Sequence, residues 1–486
     1  MTLLPESVPM VELAASYVAG KWVSGAHTGT LDVTSPTTGE LLGTVGVAGR
    51  EEVDSAVAAA RGALQSWGRV SAVDRGAALG RLADALSARK GELADLTTAE
   101  IGSPRSWSAF GQVITAVGVL RAYAAITPDY PFSATRPSMT GGTVEVRQLP
   151  VGVVGAIVPW NTPLFIAALK LGPALAAGCT VVLKPAPDAP LEFGILMEAI
   201  EEAGLPDGVV NVVNGGAATG ETLTEHPGVD KISFTGSTAV GARIAASCGF
   251  RIRRCSTELG GKSAAIVLPD AQLEKTVPGL VAGVMGNNGQ LCAALTRILL
   301  PRSRYDEFVA ALTSAVAGLV VGDPADRATD IGPLITEAAR DRVEGFLWRA
   351  PGEGATVLVG GERPDGPGWF VSPALVAATN DMEIAREEVF GPVAVVIAYD
   401  DTGADDADAV AIANDSRYGL VGAVWSADEE RAAAVAARLL VGSVAINSTA
   451  VLDFASPFGG FKQSGIGREG GPEGIAGFVE HQAIIR

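Results

Sequence analysis

From residue 151 to 247 apolar β runs alternate with helical stretches, and this alternation restricts the fold more than any other property of the chain. Residues 151–158 read as a strand, and 163–176 as a helix that starts at Pro163, a residue tolerated in a first turn. A second strand at 179–183 is followed by a helix at 191–203, apolar at Leu191, Ile195, Met197 and Ile200 and stopped by Gly204. Strands at 209–213 and 230–234 come next, then a Gly/Ser turn and a helix to about residue 247. Alternating β and α elements imply a parallel, doubly wound α/β sheet.

A second βα-rich region begins after residue 261. It reads as strands at 264–268, 298–300, 392–399 and 443–447, with helices at 277–284, 304–318 and about 405–414. A further helix is expected to start near Cys292. Upstream, residues 17–23 have strand composition. Val53, Val57, Ala60, Leu64 and Trp67 form one helical stripe, and Leu79, Leu82, Leu86 and Leu93 form another. Residues 128–149 interrupt this pattern with Pro128, Pro131 and Pro137, then alternate at 143–147 like a strand. They read as an arm that the strand-like end, 477–486, can pair with.

Composition excludes several function classes. The 486 residues are 48% hydrophobic and 19% charged, which suits large cores rather than disorder. A net charge of −18 excludes nucleic acid as a partner, because a polyanion needs a basic surface. Four cysteines without a CxxC pair imply a reducing, cytoplasmic setting. The three histidines, His27, His226 and His481, lie far from one another and from any cysteine, so no metal site is expected. No basic residue precedes Lys21, and Glu6 and Glu12 interrupt the start, unlike a secretory leader. The apolar region 151–183 contains Pro159, Pro163, Lys170 and Pro173, and reads as core rather than membrane span.

Two stretches carry reactive groups. Gly286-Asn-Asn-Gly-Gln-Leu-Cys-Ala-Ala-Leu-Thr-Arg297 presents one thiol, Cys292, among small residues. Glu258-Leu-Gly-Gly-Lys262 presents a carboxylate beside glycines. Together they suggest a nucleophile and a base; the plainer alternative is a buried Cys and a surface Glu. Phe234-Thr-Gly-Ser-Thr-Ala-Val-Gly241 joins a strand to a helix N-terminus, where free N–H groups and the helix dipole favour a phosphate. Lys184 ends the second strand at the edge where such sheets bind ligands. Asn161, in Pro159-Trp-Asn-Thr-Pro163 at the same edge, can donate its amide to an oxyanion.

These motifs resemble the aldehyde dehydrogenase superfamily, and the likeness extends from Gly20-Lys-Trp22 to the C-terminal arm. Glu387-Glu-Val-Phe-Gly-Pro392 and Pro457-Phe-Gly-Gly-Phe-Lys462 complete its set, in the family's order. The resemblance implies that Cys292 attacks an aldehyde carbonyl and that Asn161 and the Cys292 N–H hold the oxyanion. It further implies that a thiohemiacetal passes hydride to nicotinamide, and that Glu258 activates the water hydrolysing the resulting thioester. Lys170 and Glu469 match positions associated with proton relay and support of Glu258. Val158, Pro159, Trp160, Lys184, Gly236, Ser237, Leu259, Glu388 and Phe390 match cofactor positions.

The implied fold is a Rossmann-like doubly wound cofactor domain (1–127 and 150–260), an α/β catalytic domain (261–465) and a small β oligomerisation arm (128–149 and 466–486). A homodimer or homotetramer follows from the same resemblance. Pro187 stands where many NAD-using members have a ribose-binding Glu, so NAD is expected with NADP use possible. The substrate side departs from members that act on charged aldehydes. Thr162, Leu169, Gly286, Leu291, Ala293, Leu452 and Phe458 would make an apolar, roomy wall, which suggests an aromatic, terpenoid or aliphatic aldehyde. The alternatives are a CoA-acylating enzyme, which typically lacks the catalytic Glu, and a non-catalytic relative.

Overall fold

The computed structural model describes residues 10–23 and 28–486; Glu6 and His27 lie outside this range. Five parallel strands form the centre of an eight-stranded sheet, in the spatial order Arg254–Glu258, Lys231–Thr235, Val153–Ile157, Thr180–Lys184, Val210–Val213. Strands covered on both faces read as unbroken apolar runs, which is why this sheet was legible. Val181, Val182 and Leu183 are fully buried, each worth about 1.5–3 kcal/mol relative to exposure. Helices Ala72–Ala88, Thr115–Ile126 and Pro163–Ala177 cover one face, while Arg50–Arg69 and Thr238–Phe250 pack on the other. The chain leaves Val153–Ile157 in one direction and later returns to its other side with Lys231–Thr235. The strand order therefore reverses there, and the crevice at the strands' carboxyl ends is a natural ligand site.

Two details differ from the sequence reading. Residues 16–23 form two strands, Ser16–Val18 and Lys21–Val23, folded back at Gly20 with φ +81°. The Leu79–Leu93 stripe is divided between Ala72–Ala88 and Lys90–Ile101, which meet at Arg89. The 151–183 region is strand, helix and strand, as read from the sequence, and among the described residues Arg105–Asp129 is the helical run with the length and apolarity to cross a bilayer. Its inner face, with Val117, Leu120 and Tyr123, is buried in the core.

The second sheet has seven strands in the order Thr356–Val359, Ala374–Ala377, Val393–Tyr399, Arg297–Pro301, Ala264–Val267, Val421–Trp425, Ser443–Ile446. Only Thr356–Val359 runs antiparallel. The short segment 259–263 crosses from the first sheet to the second, between Arg254–Glu258 and Ala264–Val267.

A third, antiparallel sheet pairs Val479–Ile485 and Ser133–Pro137 with opposite edges of Thr143–Pro150. It takes up only part of 466–486. Gly465–Ile466 instead extends the eight-stranded sheet beside Arg254–Glu258, and Gly471–Ala476 packs on Pro163–Ala177.

Candidate active site

The site lies where the crossing segment meets the loop before Arg297–Pro301. Helix Leu273–Met285 ends, and Asn287, Asn288 and Gly289 follow with φ of 51°, 58° and 71°. Three consecutive left-handed residues cannot continue a helix, so Cys292 stands in a turn and not at a helix start; asparagine and glycine tolerate that conformation best. Side-chain hydrogen bonds hold the loop. Asn288 donates to the carbonyls of Gly102 (2.8 Å) and Pro333 (2.9 Å) and accepts from Gly332 N–H (2.7 Å). At about 0.5–1.5 kcal/mol each, these bonds offset the backbone strain.

Cys292 meets the Glu258 segment directly. A Cβ on Gly261 would fall 2.4 Å from the Cys292 carbonyl oxygen, so only glycine lets the crossing chain approach. One residue earlier, a Cβ on Gly260 would fall 2.6 Å from Glu388 Oε2. Gly261 N–H donates to Glu388 Oε1 at 3.0 Å. The glycines of this segment thus bring thiol, Glu258 and Glu388 into one crevice.

Asn161 closes the other side. Its Nδ2 donates to the Gln290 carbonyl at 2.7 Å, which fixes the amide and leaves its second N–H free. Its own carbonyl accepts from Gln112 Nε2 and Asn287 Nδ2, both at 2.9 Å.

Glu258 is buried, and neither carboxylate oxygen has a hydrogen-bond partner. Burial, reinforced by the nearby Glu469, holds it well above the usual carboxylate range, against the opposing pull of Lys170 and Arg468. Burial, with Glu388 and Glu258, pushes the Cys292 thiol up to about 12; the N–H groups of Ala293 and Cys292 oppose this. Lys170 Nζ donates to Glu469 Oε1 at 2.7 Å and to Ser233 Oγ at 3.2 Å, in a fully buried pair. Removing one member of such a pair strands the other charge. Glu469→Gln is therefore expected to lower stability by about 3 kcal/mol, read from urea unfolding; an unchanged midpoint and slope would show the pair to be unimportant.

The residues expected on the cofactor side line the switch-point edge. Gly236 N–H donates to the Glu258 carbonyl at 3.1 Å, and Ser237 caps Thr238–Phe250 by accepting from Val240 N–H at 3.4 Å. Lys184 donates to the Pro185 carbonyl at 2.8 Å, and burial lowers it to about 8. Val158 N–H donates to the Lys184 carbonyl, and Pro159 leads into Trp160. The Trp160 ring meets Phe390 edge to face at 5.5 Å, Phe390 being held at φ +62°. Leu259 packs under Gly241, whose Cβ would meet its side chain at 2.3 Å. A helix N-terminus, a strand-end Lys and a carboxylate with a free Oε2 fit a dinucleotide: phosphates at the first, ribose hydroxyls at the others.

Among the expected wall residues, Leu291, Ala293 and Leu452 are half-buried and Phe458 is buried; Ala293, Leu452 and Phe458 belong to one apolar cluster with Cys292. Thr162 is buried and precedes helix Pro163–Ala177. Leu169 is buried within the core of the first sheet. Gly286 does not open onto empty space, because Trp107 lies against it. Trp107, Gln112, Asn287, Asn288 and Arg468 were not singled out from sequence. Asn287-Asn-Gly289 did carry a turn signal, whereas nothing local marks the others.

The sequence profile described as the aldehyde dehydrogenase family matches residues 22–484, and the chain belongs to that family. It is 44% identical over 471 residues to a geranial dehydrogenase of Castellaniella defragrans, covering 96% of this chain and 98% of that one. It is 41% identical to a 3-succinoylsemialdehyde-pyridine dehydrogenase of a Pseudomonas species, with 96% and 98% covered. The crystal structure of a Mycobacterium tuberculosis aldehyde dehydrogenase complexed with NAD+ is similar at a TM-score of 0.95 and 43% identity, covering 98% of this chain and 99% of that one.

Proposed function

We propose that this protein oxidises a hydrophobic aldehyde to its carboxylic acid with NAD, through a Cys292 thioester that water hydrolyses. The observation that carries this reading is the convergence of Cys292, Asn161 and Glu258 on one crevice around Gly261 and Gln290.

Cys292 supplies the nucleophile, losing its proton to water before its sulfur bonds the carbonyl carbon. The free Asn161 N–H and the Cys292 N–H hold the developing alkoxide. Bound nicotinamide would supply the hydride acceptor, and loss of hydride from the Cys292 thiohemiacetal leaves a thioester on the same sulfur. Glu258 then takes a proton from water, the hydroxide adds to the thioester carbon, and the acid leaves as the thiol is restored. Lys170 and Glu469 position Glu258 and hold charge behind it. Glu388 and Lys184 would hold the ribose hydroxyls, Ser237 and Gly236 would receive the pyrophosphate, and Trp160, Phe390 and Leu259 would pack near the cofactor.

The apolar wall and the geranial dehydrogenase relative support a hydrophobic substrate. Pro187 carries no carboxylate against a 2′-phosphate, so NADP also fits the reading. A reducing cytoplasmic setting suits four free cysteines. The arm sheet, with its exposed edge Ser133–Pro137, supports a homodimer or homotetramer.

The test is reduced-nicotinamide absorbance with purified protein, with NAD and with NADP, without CoA. The aldehyde panel spans hydrophobic, carboxylate-bearing and quaternary-ammonium members. Hydrophobic aldehydes are expected to give the highest kcat/KM. A strong preference for succinic semialdehyde or betaine aldehyde would refute the pocket reading, and turnover only with CoA would refute hydrolysis.

A further inference from the structure

Gly286 leaves no side chain to fill the space before Leu291 and Cys292, and a residue from another part of the chain occupies that space. A Cβ built on Gly286 would fall 3.3 Å from Trp107 Nε1 and 3.6 Å from Leu291 Cδ1. The six-membered ring of the same indole lies across Gly111. A Cβ there would fall 2.6 Å from Cζ2 and 2.7 Å from Cε2 and Cη2. The Trp107 ring is thus flanked by two glycines from different elements, and any side chain at Gly111 would displace it.

The segment that follows Trp107, Ser108–Ile114, is π-helical, a departure from α geometry that re-aims side chains and is frequent at functional sites. It is tied to the reacting centre, because Gln112 Nε2 donates to the Asn161 carbonyl at 2.9 Å. On its outer side Phe110 and Ile114 are exposed, at 64% and 51%. Further along, a Cβ on Gly118 would fall 2.4 Å from the Phe454 ring, two residues after Leu452. Trp107 itself is half-buried beside the loop that leads to Cys292.

We infer that Trp107 sets the size selectivity of the substrate channel, its indole lying between Gly111 and Gly286 and narrowing the path of the aldehyde's hydrophobic tail beside Leu291. This rests on the aldehyde-oxidation reading and specifies its substrate side: slender hydrophobic aldehydes pass the indole, and ring-bearing or branched ones meet it. Replacing the ring by a methyl group opens the space. Adding a ring at Gly286 presses on the indole, whose Nε1 lies 3.3 Å from a Cβ built there, and closes the space further; the backbone, at φ −52° and ψ 138°, is one that any L-residue adopts.

Two experiments decide it. The first compares kcat/KM for a bulky ring-bearing aldehyde against propanal in wild type, Trp107→Ala and Gly286→Phe. The ratio is expected to rise at least about 10-fold in Trp107→Ala and to fall at least about 10-fold in Gly286→Phe, mainly through KM, as a few methylenes' worth of pocket contact allows. Ratios within about twofold of wild type in both variants would overturn the inference. The second titrates decanoate, an unreactive mimic of the acid product, while following tryptophan emission. Quenching in wild type that is lost in Trp107→Phe supports the placement; equal quenching in both, or none in wild type, overturns it. If wild type oxidises no aldehyde, the proposed function fails, and the titration still decides the role of Trp107.

Discussion

Replacing Cys292 with alanine is expected to reduce aldehyde oxidation by at least about 10⁴-fold, the scale on which enzymes lose activity with their nucleophile. NAD binding is expected to persist, since the dinucleotide-side groups sit on other elements: Ser237 at a helix N-terminus, Lys184 at a strand end, Glu388 beyond Gly261. Stopped-flow absorbance and NAD titration, run on the same preparation, separate the two effects. Residual turnover within about tenfold of wild type would refute the nucleophile assignment. Because burial raises the thiol to about 12, little thiolate exists at neutral pH in the free enzyme, and thioester formation is expected to speed up as pH rises. A bound nicotinamide cation nearby would favour the thiolate, so adding NAD is expected to accelerate alkylation of Cys292 by iodoacetamide.

Glu258→Gln is expected to separate the two halves of the reaction. The first turnover should still reduce NAD, because a carboxamide does not prevent attack by sulfur. Hydrolysis then lacks its base, and a positioned base contributes about 10²–10⁴-fold. A burst near one equivalent per active site followed by a slow steady state is the expected trace. A steady-state rate equal to wild type would remove Glu258 from the mechanism. The pH dependence has a definite sign. Burial and Glu469 raise the Glu258 carboxyl, so it is protonated and inactive at low pH, and hydrolysis gains rate as pH rises through that elevated value. The acid limb of kcat should accordingly lie above the ordinary range of a glutamate and disappear from the steady state of the Gln variant.

How much of this was legible in the sequence depends on whether a residue's neighbours were local. Val153–Ile157 and Thr180–Lys184 are buried on both faces, so their composition alone marked them. The arm strands Thr143–Pro150 and Val479–Ile485 showed themselves by alternation, proline spacing and position. Thr356–Val359, Ala374–Ala377 and Val421–Trp425 were not read, because short apolar runs inside an apolar chain lack contrast. The helix expected at Cys292 failed because Asn287, Asn288 and Gly289 adopt a left-handed backbone that distant carbonyls at Gly102 and Pro333 sustain. The empty pocket expected at Gly286 failed for the same kind of reason: Trp107, far away in sequence, fills it. Residue chemistry was readable, whereas the partners that hold it in place were not.

The order in which the chain leaves the ribosome gives the arm sheet a further meaning. Cys292, Asn161 and Glu258 all precede Glu469, which pairs with Phe458 across an isolated bridge and reaches Lys170. The next strand, Val479–Ile485, then pairs with Thr143–Pro150, made more than three hundred residues earlier. Contacts this distant in sequence form late and slowly. A chain without residues 463–486 would keep the nucleophile and much of the crevice but lose the carboxylate that neutralises buried Lys170. The arm sheet and the charge balance behind Glu258 are thus coupled through one stretch of chain, 469–485.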